Sequence, residues 1–451
     1  MSRRRRLLII SCLVVLALTP IIIYAYEFGP DPGYTGAPGD NPTGCTASGC
    51  HVGAPNSSSG SVKIAASGGT VYVPGQTQQI QVTITDSAER KFGFELTARL
   101  DSNPKVMGAG TFMSTDANTQ VLDCKTQGVV PFEGICPAGS TGLQWIEHTL
   151  AGFSTRANAT PSFTYTFNWT PPATNVGTIT MYAAGNAGTG DVSSPNNTHT
   201  YLSTLQLSPP PTVSSGGVVP VCSATSTIQP GSYVSIYGDS LATGTTVWNG
   251  DFPTTLGSTS VKINNKDAYM ILSSPGQVNV QAPDDTMTGS VNVVLTNSGA
   301  SSTSTVTLAA LSPCFSLLDA KHVAAIILRP DGSGAYAGGA YDIVGPTGTS
   351  LGYKTVAAKA GDVLELFGVG FGPTTPAVPA GKPFAGAAPT MNAVQIKING
   401  QNVTPAFAGL TAAGLYQFNI TIPAGLPSGD QSLQATVAGV QTPTNAVISI
   451  Q

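Results

Sequence analysis

Apolar and polar residues alternate along most of the chain beyond residue 60, with the two-residue period of a β-strand. The alternation is clear from Ile80 to Thr85. It is strongest from Phe163 to Thr170, where four aromatic residues share one face and four polar residues share the other. No window between residues 60 and 208 has the period of an amphipathic helix. We therefore predict an antiparallel β-sandwich for this part of the chain.

The second half of the chain repeats itself in strand-like segments. Pro230 to Gly238 matches Ala360 to Gly368 at an offset of 130 residues, and Gln277 to Pro283 matches Gln417 to Pro423 at an offset of 140. The offset grows along the chain, as it does when loops lengthen between corresponding strands. The pattern predicts two copies of one immunoglobulin-like (Ig-like) sandwich.

The amino terminus has the pattern of an export signal. Arg3 to Arg6 form a basic region, Leu7 to Ile23 form an apolar region, and Ile23 to Ala25 fit a cleavage site. The chain is therefore expected to be periplasmic, on the cell surface or extracellular, and to meet a membrane only through this signal. Removing the four leader arginines from the nineteen basic residues leaves fifteen against twenty-three acidic ones, a net charge of −8. That charge argues against nucleic acid as a partner.

A pair of thiols followed by an imidazole lies between the leader and the β-patterned region. Cys45, Cys50 and His51 have the residue types needed to attach haem c covalently, because each thiol can add to a haem vinyl group and the histidine can bind iron. The usual spacing has two residues between the cysteines, whereas this chain has four. A short disulfide loop between Cys45 and Cys50 is an alternative interpretation. A zinc site is a further alternative, although a structural zinc site needs a fourth ligand.

The segments around the first predicted sandwich resemble a known family. They look like a reelin-like (Reeler-type) β-sandwich over residues 34–207, and more closely like a bacterial exported subgroup in which a Cys…Cys-His haem-type motif precedes the sandwich. That subgroup carries interchangeable carboxy-terminal anchors. The resemblance implies an exported β-domain with a haem, and it implies no particular reaction. The segments that carry it are Tyr72–Gln76, Phe92–Ala98, Trp145–Thr149, Phe167–Pro172 and Tyr182–Ala187.

Residues 216–451 resemble a carboxy-terminal module that recurs in large exported bacterial proteins. Its recognisable end is formed by Gly414 to Asn419 and the turn from Ile422 to Gly425. The resemblance implies no function for this module.

A low-spin haem would need a second axial ligand besides His51. His148 is our choice because it lies in one of the family-like segments, although a histidine at a strand edge that only donates a hydrogen bond fits the sequence as well. The alternatives are His199, His322, Met107, Met113 and Met181. An open iron position would favour small-molecule binding over electron transfer.

Six cysteines remain once Cys12 of the leader is set aside, an even number that suits an oxidising compartment. If Cys45 and Cys50 carry haem, adjacency predicts the disulfides Cys124–Cys136 and Cys222–Cys314. The first would close a short loop, and the second would tie together distant segments of a later domain.

A short string resembles the nucleophile block of a GDSL-type esterase. It comprises Gly238 to Leu241, with Asp319 and His322 downstream as the matching acid and base. That fold needs helices between parallel strands, whereas residues 242–318 have strand and turn patterns. We interpret Gly238 as a turn glycine with a positive φ and Ser240 as an ordinary turn residue. The chain is expected not to be an enzyme.

The sequence thus predicts an all-β, exported protein of three sandwiches. The main hypothesis is haem-linked electron transfer or binding on an adhesive scaffold, with an unknown redox partner, surface glycan or protein partner. The alternative is a structural or adhesive protein that binds glycans and has a disulfide loop without haem, and esterase activity is a remote third. The predicted segments are a signal peptide (1–25), a haem-attachment-like segment (26–58), a reelin-like sandwich (59–208), a Pro-rich linker (209–217), Ig-like copy 1 (218–312), a hairpin excursion (313–360) and Ig-like copy 2 (361–451).

Overall fold

The computed structural model describes residues 28–49, 51, 53–124, 136–137, 139–140, 142–154, 161–189 and 198–451. The chain divides into two compact units, Met1–Pro209 and Pro210–Gln451. The predicted signal peptide lies outside the described residues. No helix in the described ranges is long and apolar enough to cross a membrane.

The first unit is a sandwich of a four-stranded and a five-stranded antiparallel sheet, with strand orders β1-β2-β7-β4 and β5-β6-β3-β8-β9. Its main core lies between the sheets and contains the aromatic residues of β7, whose burial alternates as the sequence predicts. One helical turn, α1 (Leu150–Ser154), follows β6. The strands are β1 (Ser61–Ala66), β2 (Gln78–Thr85), β3 (Lys91–Leu100), β4 (Thr111–Ser114), β5 (Thr119–Asp123), β6 (Gln144–His148), β7 (Ser162–Thr170), β8 (Ile179–Gly188) and β9 (Thr198–Leu207).

The first part of the second unit is a sandwich with sheet orders β10-β12-β18-β17-β13 and β11-β20-β19-β15-β14, with β16 paired to β15. The strands are β10 (Thr212–Pro220), β11 (Thr227–Ile228), β12 (Tyr233–Asp239), β13 (Thr246–Val247), β14 (Thr255–Leu256), β15 (Thr259–Ile263), β16 (Lys266–Asp267), β17 (Tyr269–Ser273), β18 (Gln277–Gln281), β19 (Gly289–Asn297) and β20 (Ala300–Leu308).

The second part is another sandwich, with sheet orders β23-β22-β24-β29-β28-β25 and β27-β26-β30-β31. β21 pairs with β24, and β32 pairs with β30. A 3₁₀ turn spans Ala337–Gly339. The strands are β21 (Cys314–Phe315), β22 (Ala325–Leu328), β23 (Tyr341–Ile343), β24 (Val363–Val369), β25 (Ala385–Pro389), β26 (Val394–Ile398), β27 (Gln401–Val403), β28 (Phe407–Ala412), β29 (Leu415–Thr421), β30 (Gly429–Val437), β31 (Val440–Gln441) and β32 (Val447–Ile450).

The internal repeat is visible in the topology, and the predicted all-β class with two Ig-like copies is confirmed. In the first copy β12 pairs with β18 and β18 with β17, and in the second copy β24 pairs with β29 and β29 with β28. The opposite sheets correspond as well, since β15 pairs with β19 and β26 with β30. Each copy has its own apolar core.

Two segment assignments differ from the structure. The predicted linker 209–217 is a strand from Thr212 onward, because β10 pairs with β12 and completes the first Ig-like sheet. The predicted excursion 313–360 does contain the hairpin β22–β23. However, β21 and β22 both pair with β24, so this segment is part of the second sandwich.

Each unit contains one disulfide among the described residues. Cys124 is joined to Cys136 across a sequence separation of 12 residues, and Cys222 is joined to Cys314 across 92 residues. These are the two pairs that adjacency in the sequence predicts. Cys222 follows β10 and Cys314 begins β21, so the longer link connects the two Ig-like sandwiches.

Candidate functional site

Residues 28–49, which we call the strap, lie on the outer face of the five-stranded sheet of the first unit. The backbone N–H groups of Gly33 and Tyr34 donate to the Glu95 carboxylate at 3.0 and 2.7 Å. The strap ends in a 3₁₀ helix, Gly44–Gly49. A Cβ on Gly44 would lie 2.7 Å from the side chain of Leu202 on β9, so the backbone packs directly on the sheet. The strap therefore covers a face that would otherwise meet water.

A buried ion pair anchors the middle of the strap. Asp40 accepts a hydrogen bond from the Arg99 guanidinium at 2.7 Å, and the side chains are 3% and 0% exposed. Asp40 also accepts hydrogen bonds from Thr35 Oγ1 at 2.6 Å and Trp145 Nε1 at 3.0 Å. The Arg99 guanidinium lies 5.1 Å from the centre of the Trp145 ring, which adds a cation–π contact. Because both charges are buried, removing either one would leave the other buried without a partner, at a large cost in stability.

Two buried carboxyl groups lie under the strap beside this pair. Burial raises the pKa of Glu95 well above its ordinary value of 4.5, and the charge of Asp40 raises it further, against the opposing effect of the two N–H donors. Burial also raises the pKa of Glu147, whose Oε1 accepts a hydrogen bond from Gln120 at 2.6 Å. A Cβ on Gly29, whose φ is 118°, would lie 2.3 Å from that oxygen, so only glycine fits there.

Sequence reasoning missed these charged residues. Glu95, Arg99 and Glu147 stand in otherwise apolar strand segments, and they occupy the positions that alternation assigns to the face opposite the core. A buried charge in a strand needs a partner of opposite charge. Acidic and basic residues on the outward face of one sheet are therefore the sequence signal that another segment covers that face. That signal indicates a covered face and does not identify the strap.

His51 and His148 both lie in the first unit, close enough for their charges to interact. His51 is half-buried, and its Nδ1 lies 3.0 Å from Thr198 Oγ1 on β9. Burial lowers the pKa of His51 from 6.5, and the nearby charge of His148 lowers it further. The His148 ring occupies the space above Gly93 on β3, where a Cβ would lie 2.7 Å from the His148 Cε1 atom. The sequence assigned these two histidines to opposite sides of one iron, and in the structure their charges interact while each ring is held by its own partners.

His148 is fixed by the edge of β3. Its Nδ1 lies 3.2 Å from both the N–H and the carbonyl of Phe94, and its ring packs against Phe153 and Tyr165. The side chain is buried and lies where β6 ends. The alternative interpretation, a strand-edge histidine held by hydrogen bonding, therefore describes its present contacts.

The other parts of the predicted haem motif are only partly within the described residues. Cys45 lies half-buried in the 3₁₀ helix of the strap, and Cys50 lies outside the described residues. No group of three or more His, Cys, Asp or Glu side chains in the described ranges is placed to hold a metal ion. The attachment of haem to Cys45 and Cys50 stays a prediction.

The alternative iron ligands have other environments. His199 Nδ1 is paired with Asp86 at 2.6 Å. Met181 is fully buried in the core, whereas Met107 and Met113 are exposed. His322 lies in the second unit. Among these candidates, His148 is the one whose charge acts on His51.

The esterase-like string has a different structural origin. Gly238 lies within β12 and does not have a positive φ, so the proposed turn-glycine role is wrong. A Cβ there would lie 2.0 Å from the Thr212 carbonyl oxygen, and this close approach of β10 requires glycine. The positive φ, 55°, belongs to Ser240. His322 is held between Asp319 at 2.8 Å and Asp430 at 3.2 Å, and residues 242–318 contain no helix. This is not the arrangement of an esterase.

Comparison with known proteins supports the resemblance seen in the sequence. The Reeler domain model matches residues 44–130, less than half of the chain. The human F-spondin reeler domain is 17% identical and matches over 33% of this chain and 87% of its own, with a TM-score of 0.22. The plexin A4 extracellular region (domains 1 to 8) is 8% identical over 85% of this chain and 33% of its own, with a TM-score of 0.19. The Dpr2 Ig1-Ig2 structure in complex with DIP-Theta is 10% identical over 86% of this chain and 99% of its own, with a TM-score of 0.18. No curated protein matches the chain.

Proposed function

We propose that this chain is an exported surface protein that acts by binding or adhesion, with its β-sandwiches as a rigid scaffold. The observation that carries the proposal is the pair of disulfides, one in each compact unit. Disulfides persist in oxidising compartments and are rare in the cytosol. The Reeler match at residues 44–130, the export-signal pattern and the low charge content of 9% agree with this location.

The location can be tested on intact cells that produce the full chain. We expect added protease to degrade the chain, and thiol alkylation before reduction to leave Cys124, Cys136, Cys222 and Cys314 unlabelled, because these four are paired. A cytosolic protein is the control for cell integrity. Cells that lack the chain should also attach less to surfaces, and re-expression should restore attachment. A chain that is protected inside intact cells, with its thiols reduced, would contradict the proposal.

A second candidate function, covalent haem binding, is favoured by the Cys45, Cys50 and His51 motif together with His148, whose charge acts on His51. Cys45 and Cys50 would form the thioether bonds, His51 would be the proximal ligand and His148 the ligand opposite. Thr198 holds the His51 ring through Nδ1, and Gly93 leaves the space that the His148 ring occupies. When bound, haem would supply one-electron chemistry to the scaffold.

Mass and absorption spectra of the intact protein, made with a cytochrome c maturation system, test this candidate. Covalent haem should add one haem mass and a Soret band that survives denaturation and acid-acetone extraction. His148→Ala should then change a low-spin spectrum to a high-spin one, whereas the matched variant His199→Ala should leave it unchanged, since His199 is held by Asp86. A mass loss of only two protons between Cys45 and Cys50 would show a disulfide loop and remove the haem candidate, while the adhesive proposal would stand.

A further inference from the structure

A bulge in β10 lies beside an exposed tyrosine of the first Ig-like sandwich. The register between β10 and β12 jumps from Val213 opposite Gly238 to Val218 opposite Ile236. Residues 214–217 of β10 therefore face the single residue Tyr237, whose side chain is 42% exposed. Bulges of this kind bend a strand and recur next to functional sites.

The internal repeat shows that an exposed aromatic side chain at this position is specific to the first copy. Phe367 is the residue that corresponds to Tyr237 in the second copy, and it is half-buried. Its N–H donates to the Ala324 carbonyl at 3.1 Å, and its carbonyl accepts from the Ser316 N–H at 2.9 Å, so neighbouring backbone covers this strand edge. In the first copy the bulge lies against this backbone instead, since a Cβ on Gly217 would lie 2.7 Å from the Tyr237 carbonyl oxygen. The side chain of Tyr237 is nevertheless the more exposed of the two corresponding aromatic side chains.

Tyr237 forms one wall of a groove of about 680 Å³ within the second unit. Val221, 39% exposed, adds a second apolar surface, so two of the exposed large apolar side chains of the protein lie together here. Ser223 and Thr225 supply hydroxyl groups, and Asn445 of the second sandwich supplies an amide. The volume is in the range of small-ligand sites, and such sites are common where two domains meet.

The charge of the groove is low. Asp319 is the acidic side chain in its lining, and its oxygens accept hydrogen bonds from the backbone N–H groups of Lys321 and His322 and from the His322 ring. Among the residues that the structure describes, no lysine or arginine lines the groove. A strongly charged ligand would therefore find no compensating partner, whereas hydroxyl and amide groups can exchange hydrogen bonds with a neutral ligand.

We propose that this groove binds a neutral oligosaccharide, with Tyr237 as the platform for one sugar ring. A pyranose ring has an apolar face of C–H groups that packs on an aromatic ring, and its hydroxyl groups point outward toward Ser223, Thr225 and Asn445. A tyrosine suits this position because its ring is apolar and its hydroxyl stays in water. The inference names a ligand class for the binding role proposed above and rests on that role for its biological use.

The test uses the purified full chain with cellohexaose, mannohexaose and N-acetylchitohexaose as neutral probes and tetragalacturonate as the anionic comparison. Calorimetric titration and saturation-transfer NMR should show binding of a neutral probe in the micromolar to millimolar range. Tyr237→Ala should weaken that binding roughly tenfold, in line with the loss of one aromatic contact. Tyr237→Phe should retain most of it, because the ring remains.

Two further variants keep the outcome clear. Thr225→Arg should block the groove and weaken binding, whereas Met391→Ala, at an exposed position outside the groove lining, should have no effect. Thermal unfolding of each variant checks that the exposed substitutions leave the fold intact. The proposal is overturned if no neutral probe binds at millimolar concentration, if binding is the same in Tyr237→Ala, or if only tetragalacturonate binds. These outcomes use purified protein, so they are separate from the test of cellular location.

Discussion

Replacing both Cys222 and Cys314 by alanine is expected to lower the free energy of unfolding of the second unit by about 4–5 kcal/mol. The disulfide closes a loop of 92 residues, and on the chain-entropy model a loop of that length gives a stabilisation of this size by restricting the unfolded chain. Hydrogen exchange of the full chain, resolved by peptide, measures the loss separately in each unit. The most protected amides of β12, β18, β24 and β29 should report it.

The shorter disulfide is the matched control. Cys124 and Cys136 close a loop of only 12 residues, so the double alanine variant should lose about 3 kcal/mol on the same model, and only in the first unit. Equal losses from both pairs, or a loss in the unit that keeps its disulfide, would contradict the loop-length explanation.

Asp40→Ala is expected to destabilise the first unit by about 3–5 kcal/mol, the usual result of leaving one member of a buried ion pair without its partner. The substitution leaves the fully buried Arg99 without its carboxylate and takes an acceptor from Trp145 Nε1. Backbone amides of the strap should exchange much faster in the variant, because the strap loses its central anchor. Urea unfolding and peptide-resolved exchange measure the two effects.

An exposed ion pair of the same protein provides the comparison. Lys262 and Asp267 are 2.6 Å apart with side chains 52% and 55% exposed, so Asp267→Ala should change stability by about 0–1 kcal/mol. The double variant Asp40→Leu with Arg99→Met should recover much of the stability, because it removes both buried charges together. A small effect of Asp40→Ala with unchanged exchange in the strap would show that the ion pair does not hold the strap in place.

The sequence predicts most of the strands because alternation reports directly on burial. Phe163 to Thr170 is the clearest case, since β7 spans Ser162–Thr170 and its aromatic side chains fill the core. The two Ig-like copies also follow from the sequence, because corresponding strands keep similar residues while their loops differ in length. Both signals are local or repetitive, and they do not depend on which segments meet in space.

The parts that the sequence did not predict depend on contacts between distant segments. Position 238 requires glycine because the Thr212 carbonyl oxygen approaches it closely. A turn with a positive φ would also require glycine, so the residue type alone does not distinguish the two structures. Thr212 itself follows three prolines, which favour an extended chain, and whether such a chain is a linker or an edge strand depends on a partner strand. For the candidate site, the sequence selected His51 and His148 but not the carboxyl groups and the arginine that hold the strap beside them.

The strap also sets an order in which the first unit can be completed during synthesis. It precedes every strand of the described residues, yet its anchors come later, with Arg99 on β3, Trp145 on β6 and Leu202 on β9. Contacts of such long sequence separation form slowly, because the intervening chain must first be ordered. The strap is therefore made before the strands that anchor it and is among the last parts of the unit to dock. Docking of the 3₁₀ helix, whose Gly44 packs on Leu202, therefore waits until β9 is in place.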